Sequence, residues 1–312
     1  MSAEAVARAA AILREACGER VRLALPMAPL TTFRIGGPAA LFLEPEDEED
    51  LAAASRAIEE SGLPFVVLGK GSNVLVADEG FPGLVLRLGR GFRWAARDGR
   101  RLVAGGAMPL PALAGVALRH ELAGLEFGVA IPATLGGAVR MNAGAQGHEM
   151  AEIVERAALW RLLEGAGRSL TAGEIGFEYR RTGLPADAIV VRAAVGLIPG
   201  SSTEIRGEMD HARAWRRATQ PVAEPNCGSV FKNPAEGPSA ARLVEEVGGK
   251  GLQVGRASVS TKHANFIVAA EGARASDVVA LMDRVRDLVQ DRTGIRLEPE
   301  VQVVGGVERA GV

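Results

Sequence analysis

Short runs of valine, leucine, isoleucine and alanine recur through the chain, each about the length of one β-strand: "PFVVLG", "VLVA", "GLVLRL", "RLVAGG", "AALWRLL" and "AIVVRAAVGL". Runs this short, closed by glycine or a charge, read as strands of covered sheets. Between them lie segments with helical punctuation. "DEEDLAAASRAIEESGLP" carries acids in its first turn and glycine after its last, which predicts a helix between the caps. Strands alternating with helices in this manner predict an α+β fold. No stretch approaches ~18 uncharged apolar residues, so no bilayer span is expected.

Three zones are expected, over residues 1–82, 83–199 and 200–312. The first holds an amphipathic helix, the segment "TTFRIGGPAALFLEP", the acid-capped helix and short strands. In the second, strands surround a helix near "LPALAGVALRH" and a glycine-rich centre. "PGSSTE" then has the small polar residues of a linker and N-cap. After it come a charged helix to about Thr219, a loop, and two helices flanking the strand "ANFIVAA". A length of 312 residues with 47% hydrophobic content is enough for two or three such domains.

Charge narrows the possible partners. The formal net charge of −2 and pI near 6.2 come from well-mixed acids and bases, so neither nucleic acid nor an anionic membrane is an expected partner. The two cysteines, Cys17 and Cys227, lie far apart and form no C-x-x-C pair, which argues against a disulfide framework and a thiolate metal site. The four histidines, His120, His148, His211 and His263, show no metal-binding spacing, and no metal is expected. The first residues lack an uninterrupted apolar core with a cleavage site. A cytoplasmic protein is the expectation.

Two glycine-rich segments stand out. In "LGKGSNVLVA", Gly69 and Gly71 can bring backbone N–H groups close to an anion, with Ser72 and Asn73 adding polar contacts. The alternative is an ordinary hairpin-like turn. It is not a Rossmann fingerprint, because Val74 replaces the third glycine and a strand follows. In "GVAIPATLGGAVRMNAGAQG", Pro132 followed by Thr134 can open a helix whose first N–H groups would receive a second anion, with Gly136 and Gly137 allowing close approach. Close helix packing explains the same glycines. Two such segments in one chain suggest a large diphosphate-bearing ligand.

A third segment, "NCGSVFKNP", sets Ser229 between Gly228 and Val230. The second glycine of a G-x-S-x-G elbow is missing, so a hydrolase-type nucleophile is not the default. If chemical, the Ser229 hydroxyl donates or relays a proton.

"TTFRIGGPA", "VLGKGSNVLV", "IPATLGGAVRMNAGAQG", "CGSVFKNP" and "VSTKHANFIV", closed by "GIRLEPEV", resemble the UDP-N-acetylenolpyruvoylglucosamine reductase family in the family's own order. The resemblance runs from about Leu30 to Gly305. It implies a flavoprotein with a two-part FAD-binding region of the vanillyl-alcohol-oxidase type and a smaller α+β domain closing over a UDP-sugar. It also implies FAD contacts at Gly69, Lys70, Gly71, Ser72, Asn73, Ile131, Pro132, Thr134, Gly136 and Gly137, and NADPH as reductant. The implied reaction converts UDP-N-acetylglucosamine enolpyruvate to UDP-N-acetylmuramate for peptidoglycan; a monomer is the expectation, though the sequence itself does not give the oligomeric state.

Catalytic roles carry over by motif position. The resemblance implies hydride transfer from reduced FAD to C3 of the enolpyruvyl group and a proton to C2 from Ser229. Arg180 in "FEYRRTG" matches the family's arginine after tyrosine, in preference to Arg181, and Glu300 in "LEPEV" its closing glutamate. Glu298 shares that strand face, so only the motif separates the two acids. Lys232, Asn233 and His263 are implied substrate contacts, with Arg217 and Gln220 from "RRATQP" beside them. Each has a bland reading as well: a solvated lysine, a turn-forming asparagine, a histidine satisfying a core carbonyl. Two positions depart from the family pattern, Ala133 in place of glycine and Gln146 in place of tyrosine. The short interval between Arg180 and Ser229 implies the branch without the tyrosine-bearing insertion.

Overall fold

Strand Ala188–Gly196 is buried along nearly its whole length because both faces of its sheet are covered. Side chains alternate across a strand, so Ala188 and Val190 enter one apolar cluster while Ile189 and Val191 enter another. The adjoining strand Val154–Arg161 behaves likewise, with Ala157 and Leu159 on the first side and Trp160 on the second. This accounts for continuous apolar runs where a half-solvated sheet would alternate.

The structure is a computed structural model that describes residues 2–306. These form two units. The first takes in the chain up to Leu23, Ala40–Lys70 and Gly83–Trp215, and the second Ala24–Ala39, Gly71–Pro82 and the chain from Arg216 onward.

The first unit is built on a five-stranded antiparallel sheet of order Ala166–Thr171, Val154–Arg161, Ala188–Gly196, Arg101–Gly105, Ala95–Asp98. Helices Leu110–Arg119 and Leu135–Arg140 contribute Leu110, Leu113, Leu135 and Val139 to the cluster on one face. Helices Ala3–Cys17 and Glu48–Ser61 contribute Leu13, Leu51 and Ile58 to the other. The second of these helices starts and stops as expected. Asp47 accepts the Asp50 N–H at 2.9 Å, and Gly62, left-handed at φ +65°, returns its N–H to Ile58.

The second unit packs helix Ala275–Thr293 against the sheet Gln253–Val254, Ala257–Val259, Ile267–Ala269. Val278, Leu281, Val285 and Val289, at helical spacing, face Val259 and Ile267 in one core. Phe33, Ile35 and Leu75 belong to the same core. Strand Val74–Val76 pairs in parallel with Gln302–Val304.

Two units thus stand where three zones were expected. The segments "TTFRIGGPA" and "GSNVLVADEG", read with the first zone, lie in the second unit, because their apolar side chains pack with the C-terminal part of the chain. Helix Ser202–Thr219 begins within "PGSSTE" and contributes Ile205, Met209 and Ala212 to the core of the first unit. Contact between distant segments outranks chain order here, and local punctuation cannot report it.

Candidate active site

Ser229 lies on an extended segment held from both sides. On one side it forms an antiparallel bridge with Phe266, and the Val230 N–H donates to the Asn265 carbonyl at 2.9 Å. On the other, the Glu300 N–H donates to the Val230 carbonyl at 2.8 Å and the Lys232 N–H to the Glu298 carbonyl at 2.9 Å. Ser229 and Glu300 therefore occupy neighbouring positions of one small ladder. The turn before the serine needs Gly228, whose φ is +81°. Its N–H donates to Asn226 Oδ1 at 2.9 Å, and Thr32 Oγ1 donates to the Asn226 carbonyl at 2.6 Å.

The two carboxylates of "LEPEV" differ in their surroundings. Glu298 Oε1 accepts from Lys232 Nζ at 2.6 Å, an ion pair whose glutamate side is 70% exposed. Glu300 lies beside the buried Cys227, whose thiol pKa is pushed up first by burial and then by that carboxylate. The Glu300 carbonyl accepts from Asn73 Nδ2 at 3.2 Å, and the Asn73 carbonyl accepts the Gln302 N–H at 3.0 Å. Asn73, expected at the cofactor, thus ties its loop to the Glu300 strand. Its side chain has a structural partner that the sequence did not indicate.

Arg180 belongs to the first unit and sits at φ +56°, an uncommon conformation for an arginine. Its Nη1 and Nη2 donate to the carbonyls of Asn142 and Gly144 at 3.3 and 3.4 Å, and its guanidinium lies 4.9 Å from the Tyr179 ring centre. The neighbouring Arg181 pairs with Glu178, Nε to Oε2 at 2.8 Å, on the exposed surface. Arg180 is thus bonded to backbone carbonyls and Arg181 to an exposed carboxylate.

The expected substrate contacts divide. Lys232 is paired with Glu298, as described. Asn233 Oδ1 accepts the Ala240 N–H at 3.0 Å, at the start of helix Ala240–Glu246, so its side-chain oxygen serves the turn. His263 Nδ1 accepts the Asn265 N–H at 3.3 Å, and its ring stands edge-on to Phe266, centroids 4.6 Å apart. Burial, and then the charge of Lys250, hold its imidazole below the ordinary histidine value. Arg217 is exposed, and its carbonyl accepts from Lys262 Nζ. The Gln220 N–H closes the end of helix Ser202–Thr219 on Arg216.

The glycine segments need one correction each. Thr134 caps helix Leu135–Arg140 as expected, its Oγ1 accepting the Gly137 N–H at 3.2 Å. The remaining first-turn donors are not open to an anion, however. The Leu135 N–H goes to the Met108 carbonyl at 2.8 Å and the Gly136 N–H to the Gly106 carbonyl at 2.9 Å. A Cβ on Gly136 would stand 2.9 Å from the Val190 carbonyl, so close packing on the sheet accounts for that glycine. Gly71, at φ +62°, is likewise required by the chain itself, because a Cβ there would collide with the Leu30 carbonyl and stand 2.8 Å from Thr31 Cα. Gly69 is different. Its nearest neighbour would be Thr134 Oγ1 at 2.9 Å, which brings the two glycine segments together. Lys70, beyond it, is exposed, as is Pro132, and Ile131 is half-buried.

Three positioning asparagines escaped the sequence reading although each lies in a quoted motif. Asn226 shapes the turn before Ser229. Asn142, fully buried, accepts the Ala151 N–H at 2.9 Å and donates to the Glu178 carbonyl at 3.0 Å, bracing the Arg180 loop. Asn265, 4% exposed, holds Phe231 by both of its backbone groups. The available signal was a polar amide among apolar neighbours, which is costly to bury unless hydrogen-bonded.

Comparison with known proteins agrees with these motifs. The family described as UDP-N-acetylenolpyruvoylglucosamine reductase, C-terminal domain, matches residues 220–304, and the FAD binding domain family matches residues 39–173. The chain is 48% identical, over 92% of its length and 92% of the relative's, to UDP-N-acetylenolpyruvoylglucosamine reductase 2 of Symbiobacterium thermophilum. It is 48% identical, over 90% of its length and 89% of the relative's, to the reductase of Heliobacterium modesticaldum. Among solved structures, UDP-N-acetylenolpyruvylglucosamine reductase from Thermus caldophilus is similar at a TM-score of 0.78 and 38% identity, covering 91% of this chain and 98% of that one. These likenesses bear out the expected fold class, α+β with an FAD-binding region.

Proposed function

Because the chain belongs to the UDP-N-acetylenolpyruvoylglucosamine reductase family, we propose that it reduces UDP-N-acetylglucosamine enolpyruvate to UDP-N-acetylmuramate with NADPH, using Ser229, Arg180 and Glu300. It is an FAD-dependent oxidoreductase of peptidoglycan precursor synthesis. The observation that supports the assignment of roles is the Glu300 N–H bonded to the Val230 carbonyl, which joins the backbone segment of the acid to that of the candidate proton donor.

FAD is proposed to bind where the two glycine segments approach, a Cβ on Gly69 standing 2.9 Å from Thr134 Oγ1. Gly69, Lys70, Gly71, Ser72, Asn73, Ile131, Pro132, Thr134, Gly136 and Gly137 are proposed to contribute to its binding. When bound, FAD supplies the hydride drawn from NADPH.

The remaining chemistry falls to side chains. A serine hydroxyl is a very weak acid, so donation is productive only toward a strongly basic carbon. C2 of the enolpyruvyl group acquires that character when its neighbour C3 accepts hydride and the substrate carboxylate takes up charge. Arg180 is proposed to grip that carboxylate with its planar fork and to stabilise the enolate. Ser229 then gives its proton to C2, and Glu300 supports that transfer. Lys232, Asn233, His263, Arg217 and Gln220 are proposed to hold the UDP-sugar, with His263 acting as a neutral hydrogen-bonding ring. A monomer working in the cytoplasm completes the reading.

The test is spectroscopic. Purified protein incubated with FAD is expected to show a flavin band that NADPH bleaches and the enolpyruvyl nucleotide restores, with UDP-N-acetylmuramate found by mass spectrometry. A protein that takes up no flavin, or whose bleached band is not restored, is not this enzyme.

A further inference from the structure

Asn265 uses four polar groups at once. Its backbone N–H donates to His263 Nδ1 at 3.3 Å, and its carbonyl accepts the Val230 N–H at 2.9 Å. Its Oδ1 accepts the Phe231 N–H at 3.0 Å, and its Nδ2 donates to the Phe231 carbonyl at 2.8 Å. The residue is 4% exposed, so these bonds have little competition from water.

The side-chain amide here imitates a peptide group of a neighbouring strand. Phe231 and Pro299 form a non-hydrogen-bonded pair between the two ladder bonds Glu300 N–H to Val230 carbonyl and Lys232 N–H to Glu298 carbonyl, so the N–H and carbonyl of Phe231 face the other side. Asn265 supplies both a donor and an acceptor from the other side. It thereby fixes the register of the segment that carries Ser229 between Phe266 and Glu300. A slip of one residue along such a segment would turn Ser229 to the opposite face.

We propose that Asn265 is a positioning residue for protonation: its amide sets the register of Ser229 against Glu300 and couples that register to His263. The inference rests on the reading of Ser229 as proton donor. It predicts a defect confined to the step that needs the proton, since the polar groups of Asn265 are all bonded to the protein around Ser229.

Asn265→Ala in the FAD-loaded protein is the direct test. Flavin reduction by NADPH is expected within about 2-fold of wild type, while reoxidation by the enolpyruvyl nucleotide slows at least ~10-fold, the scale of a misplaced catalytic group. Amide hydrogen exchange of the segment 229–232 is expected to quicken. Asn265→Asp keeps the acceptor for the Phe231 N–H but loses the amide donor, and is expected to lie between the two. If Asn265→Ala fails to fold, the aspartate variant alone decides, through the same split between half-reactions. Unchanged reoxidation and exchange in a folded variant would overturn the proposal, as would equal slowing of both half-reactions. Failure of the wild-type enzyme to be reoxidised would instead remove the reading on which the proposal stands.

Discussion

A Cβ on Gly69 would stand 2.9 Å from Thr134 Oγ1, the hydroxyl that caps helix Leu135–Arg140. This approach ties one glycine segment to the other within the first unit. Gly69 has no positive φ to preserve, so Gly69→Ala tests space rather than backbone strain. The variant is expected to keep its circular dichroism and to bind FAD at least ~10-fold more weakly, as read by flavin fluorescence. Thr134→Ala is expected to lose the cap as well, at about 1 kcal/mol of stability. Wild-type FAD affinity in both would remove the cradle.

Gly71 behaves as a different kind of glycine. A valine there meets both a left-handed φ and the Leu30–Thr31 backbone. Gly71→Val is expected to cost roughly 2–4 kcal/mol in urea unfolding, whether or not FAD is added. A stable, flavin-free variant would mean that Gly71 serves the cofactor directly.

These two glycines show where sequence reading stops. The strands and helices were legible because period, caps and turn residues are local: "DEEDLAAASRAIEESGLP" became helix Glu48–Ser61 with its caps in place. The motifs around Ser229, Arg180 and Glu300 were legible as motifs. What was not legible was which chain segment each glycine or amide would meet. The first-turn N–H groups after Thr134 were expected to be open, yet they bond to Met108 and Gly106, residues far off in sequence. Asn73 was read toward a ligand and donates to the Glu300 carbonyl. Lys232 was read the same way and pairs with Glu298. Tertiary partners decide such cases, and no local pattern names them.

The carboxylates of "LEPEV" give a second contrast. Glu298→Gln breaks a largely exposed ion pair, worth ~0–1 kcal/mol. It is expected to leave flavin reoxidation within about 3-fold of wild type. Glu300→Gln at unchanged FAD content is expected to slow reoxidation by ~10²-fold, on the scale of a lost general acid–base group. Equal effects in stopped flow would mean that the motif match misplaced the acid.

His263 gives a dependence on pH. Its pKa in the folded protein is lowered, by burial first and by Lys250 next. The unfolded chain therefore takes up a proton here more readily than the folded one. Stability is full above the unfolded value of about 6.5 and falls as pH drops below it toward the folded value. Urea unfolding from pH 7.5 to 5 is expected to show a steeper loss in the wild type than in His263→Gln. Parallel curves would show that this ring is not held neutral.

The most direct measurement is stopped-flow of Ser229→Ala in both half-reactions. Ser229 lies in the second unit, on the rung beside Glu300, and its proposed task is a single proton transfer. Bleaching of the flavin by NADPH is expected at the wild-type rate, and its return on adding the enolpyruvyl nucleotide is expected to slow at least ~10²-fold. Wild-type reoxidation, or a loss confined to the NADPH step, would contradict the assignment of Ser229 as the proton donor.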